Sequence, residues 1–425
     1  MAAPHIIAGS IGSDGSDDPL LNSADPVEAA RQHVVEAALT ADEGGRVGLE
    51  MEFHLVDLAQ PERRPRWTQV QEMALATGPL PSGSLVTLEP GGQIELSTPP
   101  APDVVGAVAD LRADREALRN QLAGWGFGAA PLGADLARPV ERVNPGARYL
   151  AMEKHFEALG CAGSGRAMMS ATAALQVNLD AGPATGWSDR LALIRTMVPV
   201  LVAISSTSPY LGGTTSGWHS MRQGTWHGID HGRSDPVAAG EPTGAWADYA
   251  LKAPVMLVRD GDDLRAVTSR VPFDAWLRAE APFDRRPTLA DLDYHLTTLF
   301  PPVRPRGYIE IRCLDALPDR WWPALATVTA TLADDLVAAD MAMDACAPVA
   351  RSWETAARTG LEDPAIRRAA SGCLDAAVQR CPDPLRSEVE VFAELIASGR
   401  TPSGEMRRRA ETTGPLVVLE EEAHA

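Results

Sequence analysis

The chain has 425 residues, 45% of them hydrophobic and 22% charged, which is ordinary for a globular protein and enough to bury one large core or two to three smaller ones. Its 57 acidic and 38 basic residues leave a net charge of −19, which argues against general binding to nucleic acid or anionic lipid. No apolar run nears the roughly 20 residues that span a bilayer, and five scattered cysteines with no C-x-x-C pair suit free thiols in a reducing cytoplasm.

Residues 1–24, acidic and rich in Ser and Gly with no basic residue ahead of a short apolar patch, read as a flexible tail and not as a signal peptide. The first helix is expected in "DPVEAARQHVVEAALTA", with Asp25 as cap, Pro26 in the first turn and Glu28 closing a capping box. A strand, "VGLEMEFHLVD" (47–57), follows directly, and a second, "QIELSTPP", starts at Gln93 and stops at Pro99. "DVVGAVADLRADREALRNQLAGWG" reads as an amphipathic helix capped by Asp103, "ALQVNLD" (174–180) as a strand, and the apolar stretch from Ser188 as a buried helix containing Pro199. From Pro209 to Asp248 the chain has neither period and is expected to be mostly loop. "TLADLDYHLTTLF" is a helix with Thr288 as cap, and "GYIEIRCLD" (307–315) a further strand. Beyond about residue 316 the sequence is helical and Ala-rich, and 399–425 is expected to be a polar tail. The resulting organisation is one catalytic domain over 25–398, flanked by the two tails.

Four of these strands share an unusual feature. Each sets an apolar face against a face of carboxylates, amides or arginine: Glu50 and Glu52 in the first, Glu95 in the second, Gln176 and Asn178 in the third, Glu310 and Arg312 in the fourth. Lys, a common choice for a merely solvated sheet surface, is missing from all four polar faces. If the strands join one sheet, packed carboxylates repel and some would be protonated unless hard cations such as Mg²⁺ or Mn²⁺ neutralise them. Carboxylate-bound metals beside an arginine suit phosphoryl transfer. Neither a Walker motif nor a G-x-G-x-x-G turn is present. A glycosidase needs only two carboxylates, no G-x-S-x-G elbow marks a serine hydrolase, and His54, His219, His227, His231 and His295 match no zinc spacing.

At "GLEMEF", "LEPGGQIELSTPP", "LQVNLD", "SMRQGTW" and "HLTTLFPPVRPRGYIEIR" the sequence resembles the glutamate–cysteine ligases of the plant and proteobacterial type over about residues 46–315, and its ends resemble the actinobacterial branch that serves ergothioneine biosynthesis. The resemblance implies an α+β, glutamine-synthetase-like fold in which a curved, mainly antiparallel sheet forms a funnel with helices packed on its outer face. It implies a cytoplasmic enzyme that uses ATP and Mg²⁺ (or Mn²⁺) to join L-glutamate to L-cysteine through a γ-glutamyl phosphate, with no nucleic-acid, membrane or obligate protein partner. By the same resemblance Glu50, Glu52, Glu89, Glu95 and Glu310 are metal ligands. Gln176 and Asn178 lie beside them, and Arg222 pairs with the glutamate α-carboxylate. Trp226 and Tyr149 belong to the cysteine end, and Arg304 and Arg312 face the phosphates. A different amine acceptor, or a non-catalytic metal-dependent amino-acid sensor, are the competing readings. The regulatory disulfide cysteines of the plant enzymes have no obvious match among the five here.

Overall fold

A computed structural model describes residues 18–261 and 263–425. Its centre is a seven-stranded sheet in which every pairing is antiparallel, with the path β10–β11–β5–β1–β3–β2 and β4 added to the end of β1. The strands are β1 (Val47–Asp57), β2 (Leu85–Leu88), β3 (Ile94–Ser97), β4 (Phe127–Ala130), β5 (Ala174–Leu179), β10 (Val303–Pro305) and β11 (Ile309–Asp315). Two small hairpins lie apart from it, β6 (Tyr210–Leu211) with β7 (Thr214–Thr215), and β8 (Leu257–Asp260) with β9 (Asp263–Ala266).

The four strands expected to share a polar face are consecutive neighbours, in the order β11–β5–β1–β3. Their apolar residues Leu49, Met51, Phe53, Ile94, Leu96, Val177, Ile309 and Ile311 are all at most 1% exposed, and each such side chain removed from water contributes roughly 1.5–3 kcal/mol. Helices Val104–Gly124, Trp187–Ser205 and Trp322–Asp334 pack against this sheet. Asp103 caps the first of them by accepting from Gly106 N, and Pro199 lies inside the second. Asp25 likewise accepts from Glu28 N at the start of helix Pro26–Ala38, and Thr288 with Asp291 closes a capping box on helix Leu289–Leu296.

Two regions differ from expectation. The tract from 209 to 248 carries two helices, Met221–His227 and Pro242–Lys252, because Ser220 and Glu241 cap turns too short to show an apolar period. The expected polar tail, 399–425, folds into helices Pro402–Thr413 and Pro415–His424, and the second packs on β4 with Val418, Leu419 and Ala423 buried. Of the expected N-terminal tail, residues 1–17 lie outside the described residues, while Pro19–Asn22 is a helical turn with Leu20 buried. Among the described residues no helix is long and apolar enough to cross a membrane.

Candidate active site

Strand register builds the polar face row by row. Glu52 pairs with Glu95 and Glu95 with Thr87 across β1, β3 and β2, while Glu50 pairs with Gln176 across β1 and β5. Asn178 pairs with Glu310 and Glu310 with Arg304 across β5, β11 and β10. Residues two apart on a strand share a face, so the expected set Glu50, Glu52, Glu95, Gln176, Asn178, Glu310 and Arg312 is brought together. Arg304 joins it from β10, a three-residue strand hidden in "PPVRPRG" that sequence reading missed because prolines flank it.

Glu89 arrives by a different route, as the first residue of the loop joining β2 to β3. Glu89 N donates to Gln93 O (2.9 Å) and Gly92 N to Glu89 O (3.0 Å), and Gly92 holds φ +81°, which a residue with a Cβ rarely adopts. Gln93 is buried inside the turn, donating from Nε2 to Thr172 O (2.8 Å) and accepting from Gly91 N (2.9 Å). A Cβ on Gly91 would overlap the Ser170 carbonyl. The string "EPGGQ" therefore aims one carboxylate at the sheet face.

The carboxylates fall into two electrostatic groups. Glu310 is fully buried and its charge is matched: Arg304 donates to it from Nε (2.6 Å) and Nη2 (3.0 Å), Arg312 Nη1 lies at 3.1 Å and Arg306 Nη1 at 3.6 Å. Burial alone would raise its pKa, but Arg304 and then Arg312 outweigh it and bring the group down to about 2. The other four are under-compensated. Gln176 Nε2 and Asn178 Nδ2 donate to Glu50 (2.9 and 2.8 Å), Ala174 N donates to Glu52 (3.0 Å) and Thr87 Oγ1 to Glu95 (2.7 Å). Burial, followed by the charges of Glu95 and Glu310, pushes Glu50 up to about 7, and burial with Glu52 does the same to Glu95. Glu52 is raised by burial despite Arg222 and Arg312, and Glu89 is raised well above the carboxylate range by burial, Glu95 and Glu52. Each of the four therefore favours its protonated form when no cation is bound, and a bound cation would take the place of those protons.

No group of three His, Cys, Asp or Glu side chains among the described residues converges closely enough to hold a metal ion by itself. The donor chemistry still fits Mg²⁺, which takes oxygen ligands, keeps several waters and is commonly bound by one or two carboxylates together with substrate phosphates. Glu310 differs from the other four in that Arg304 and Arg312 already contact its carboxylate.

Arg222 sits on the helix Met221–His227, 3% exposed; its Nη2 donates to Arg312 O (2.9 Å), whereas its Nη1 is buried without a partner among the described residues. The Arg222 guanidinium and the Glu52 carboxylate each shift the other's titration, so Arg222 lies at the Glu52 end of the face. Tyr149, on helix Ala147–Ala158, and Trp226 both pack on one apolar cluster that includes Met152, Met168 and Ile229, and Trp226 meets Phe300 at 5.2 Å between ring centroids. The charges of Glu89 and Glu95 add to burial in raising the Tyr149 hydroxyl above its usual range. His54, on the polar side of β1 by alternation, is not part of this face: beyond Phe53 strand β4 takes over the edge of β1, and His54 Nε2 bonds Leu132 O (3.0 Å) beside the buried pair Asp135–Arg138. Sequence reading missed Arg148, whose charge acts on Glu89, and Thr87, which lies on a short strand with no clean alternation.

Comparison with known proteins points to one family. Residues 46–422 match the family described as glutamate–cysteine ligase family 2. The chain is 46% identical over 420 residues to a glutamate–cysteine ligase named EgtA from Mycobacterium tuberculosis, covering 97% of this chain and 96% of that one. It is 46% identical over 398 residues to the protein of the same name from Mycolicibacterium smegmatis, covering 93% and 94%. In fold it is similar to a solved glutamate–cysteine ligase from Francisella tularensis in complex with AMP, with a TM-score of 0.57 at 13% identity over 90% of this chain and 88% of that one. With a family match spanning nearly the whole described chain, and two relatives alike from end to end, the chain belongs to glutamate–cysteine ligase family 2.

Proposed function

We propose that this protein is an ATP-dependent ligase that joins the γ-carboxylate of L-glutamate to the amine of L-cysteine, giving γ-glutamylcysteine, ADP and phosphate, and that the product feeds ergothioneine biosynthesis. The observation that carries the reading is the near full-length identity with two enzymes named as glutamate–cysteine ligases. A sheet face of under-compensated carboxylates edged by arginines supports it.

In this reading residues 25–398, together with the C-terminal helices that pack on them, are the catalytic unit, working in the cytoplasm, and the curved sheet is the wall of a glutamine-synthetase-like funnel. Glu50, Glu52, Glu89 and Glu95 would share the carboxylate ligands of Mg²⁺ or Mn²⁺, one or two to an ion with the nucleotide phosphates completing each shell, and the ions would supply neutralisation of those phosphates. Glu310 keeps Arg304 and Arg312 extended toward those phosphates. Arg222 offers Nη1 to the α-carboxylate of glutamate, a task suited to a planar cation. The γ-carboxylate oxygen then attacks the γ-phosphorus in line, and the bond to ADP breaks. Arg312 spreads over the transferring group, where charge grows in the transition state. The free-base amine of cysteine, seated near Tyr149 and Trp226, attacks the acyl carbon of γ-glutamyl phosphate, and phosphate leaves as the nitrogen gives up a proton.

ADP release from purified protein supplied with ATP, Mg²⁺, glutamate and cysteine tests this. It should require both amino acids and yield stoichiometric γ-glutamylcysteine. Turnover with another amine and none with cysteine would assign a different acceptor, and binding of glutamate without ADP release would assign a sensor.

A further inference from the structure

Strand β11 does not keep its register along β5. Ile311 pairs with Val177 but Leu314 pairs with Leu175, so β11 spends three residues where β5 spends two. The extra residue is a β-bulge at Arg312–Cys313, and it reverses the alternation that follows. Without it Asp315 would turn to the apolar side; with it Asp315 pairs with Ala174 and lies on the same side as Gln176 and Asn178.

The bulge also frees two carbonyls, and both are taken by the helix that carries Arg222. Arg222 Nη2 donates to Arg312 O (2.9 Å) and Gln223 Nε2 to Cys313 O (2.7 Å). Just past the bulge, Asp315 is 1% exposed and accepts from Thr207 N (3.0 Å), Ser208 Oγ (2.7 Å) and Ser220 Oγ (2.8 Å). Those two serines hold the start of the same helix: Ser220 Oγ accepts from Gln223 N (3.2 Å) as its N-cap, and Ser208 Oγ accepts from Arg222 N (3.2 Å). Room for the carboxylate exists only because residue 133 is glycine, since a Cβ there would overlap Asp315.

We propose that Asp315 is a positioning residue for substrate: through Ser208 and Ser220 it locks the N-terminus of the Met221–His227 helix onto the bulge, and so presets the unpartnered Nη1 of Arg222 for the ligand carboxylate. The proposal rests on the reading of Arg222 given above. An arginine has several rotatable bonds and loses binding energy if it must be ordered at the moment of association. The backbone amide of Arg222, held by Ser208 and through it by Asp315, and its Nη2, bonded directly to the bulged strand, remove that cost beforehand.

The test is steady-state kinetics on the full-length enzyme with Arg222→Ala, Asp315→Asn and the double variant, with thermal melting in parallel. Asparagine keeps the shape of Asp315 but cannot accept from all three donors, so the glutamate KM should rise about tenfold, the equivalent of about one hydrogen bond, while the ATP KM stays put. In the Arg222→Ala background the same change should leave the glutamate KM where Arg222→Ala alone set it, because the effect runs through Arg222. Additive effects, or a lowered melting temperature with an unchanged glutamate KM, overturn the proposal. A glutamate KM indifferent to Arg222→Ala overturns the underlying reading instead. Should Asp315→Asn fail to fold, Ser220→Ala removes one of the three bonds and decides the matter by the same KM comparison.

Discussion

Replacing Arg312 with alanine removes a guanidinium whose Nη1 donates to Gln176 Oε1 at 2.6 Å and lies 3.1 Å from Glu310 Oε2. The loss to stability is bounded by what remains. Glu310 keeps both bonds from Arg304, at 2.6 and 3.0 Å, so no buried charge is orphaned, and the variant should lose about 1–2 kcal/mol and stay folded. A buried carboxylate that lost its one partner would instead cost roughly 3–5 kcal/mol. Catalysis should suffer far more. Arg312 is a positive charge felt by Glu50, Glu52, Glu89 and Glu95 as well as by Glu310, so it sits at the centre of the anionic face. Deleting such a preorganised charge lowers kcat by about 10²–10³. The glutamate KM should change little, the pattern of an interaction realised mainly in the transition state. A coupled assay of ADP release with glutamate, ATP and cysteine varied in turn measures both quantities, and calorimetric melting checks the fold. A kcat within a few-fold of the parent would refute the reasoning. So would an unfolded Arg312→Ala protein restored by adding Glu310→Gln, because the pair would then be a structural ion pair and nothing more.

Three further outcomes are expected. Arg222→Ala should raise the glutamate KM by about 10- to 100-fold, one charge-assisted hydrogen bond's worth, and Arg222→Lys should recover only part of it because an ammonium cannot reproduce the fork; initial rates against glutamate concentration decide it. Exhaustive treatment with a chelator should abolish ADP release, and either Mg²⁺ or Mn²⁺ should restore it, with elemental analysis confirming the metal-free state. Gly91→Ala should cost about 1–3 kcal/mol in chemical denaturation, since its methyl group would overlap the Ser170 carbonyl and push the Glu89 turn off the sheet.

The polar face of the sheet was legible in the chain because strand periodicity is a local property. Glu50 and Glu52, or Glu310 and Arg312, are two residues apart and must share a side wherever the strand goes, and an apolar partner face leaves one side free for chemistry. Asp103, Asp25 and Thr288 capped their helices as expected for the same reason, since a cap is satisfied within one turn. What tertiary structure alone decided was partnership across distance. The pairing of β10 with β11 makes Glu310 the neighbour of Arg304, and it turns one of five similar glutamates into a matched ion pair while the other four are left under-compensated. His54 alternates with Glu50 and Glu52 yet is buried where β1 pairs with β4, because a strand can exchange one neighbour for another along its length. The bulge that turns Asp315 toward Ser208 and Ser220 leaves no mark in "YIEIRCLD", since it arises from how β11 meets β5 and the helix beyond, and the last helix holds through packing on β4 that a polar segment does not advertise.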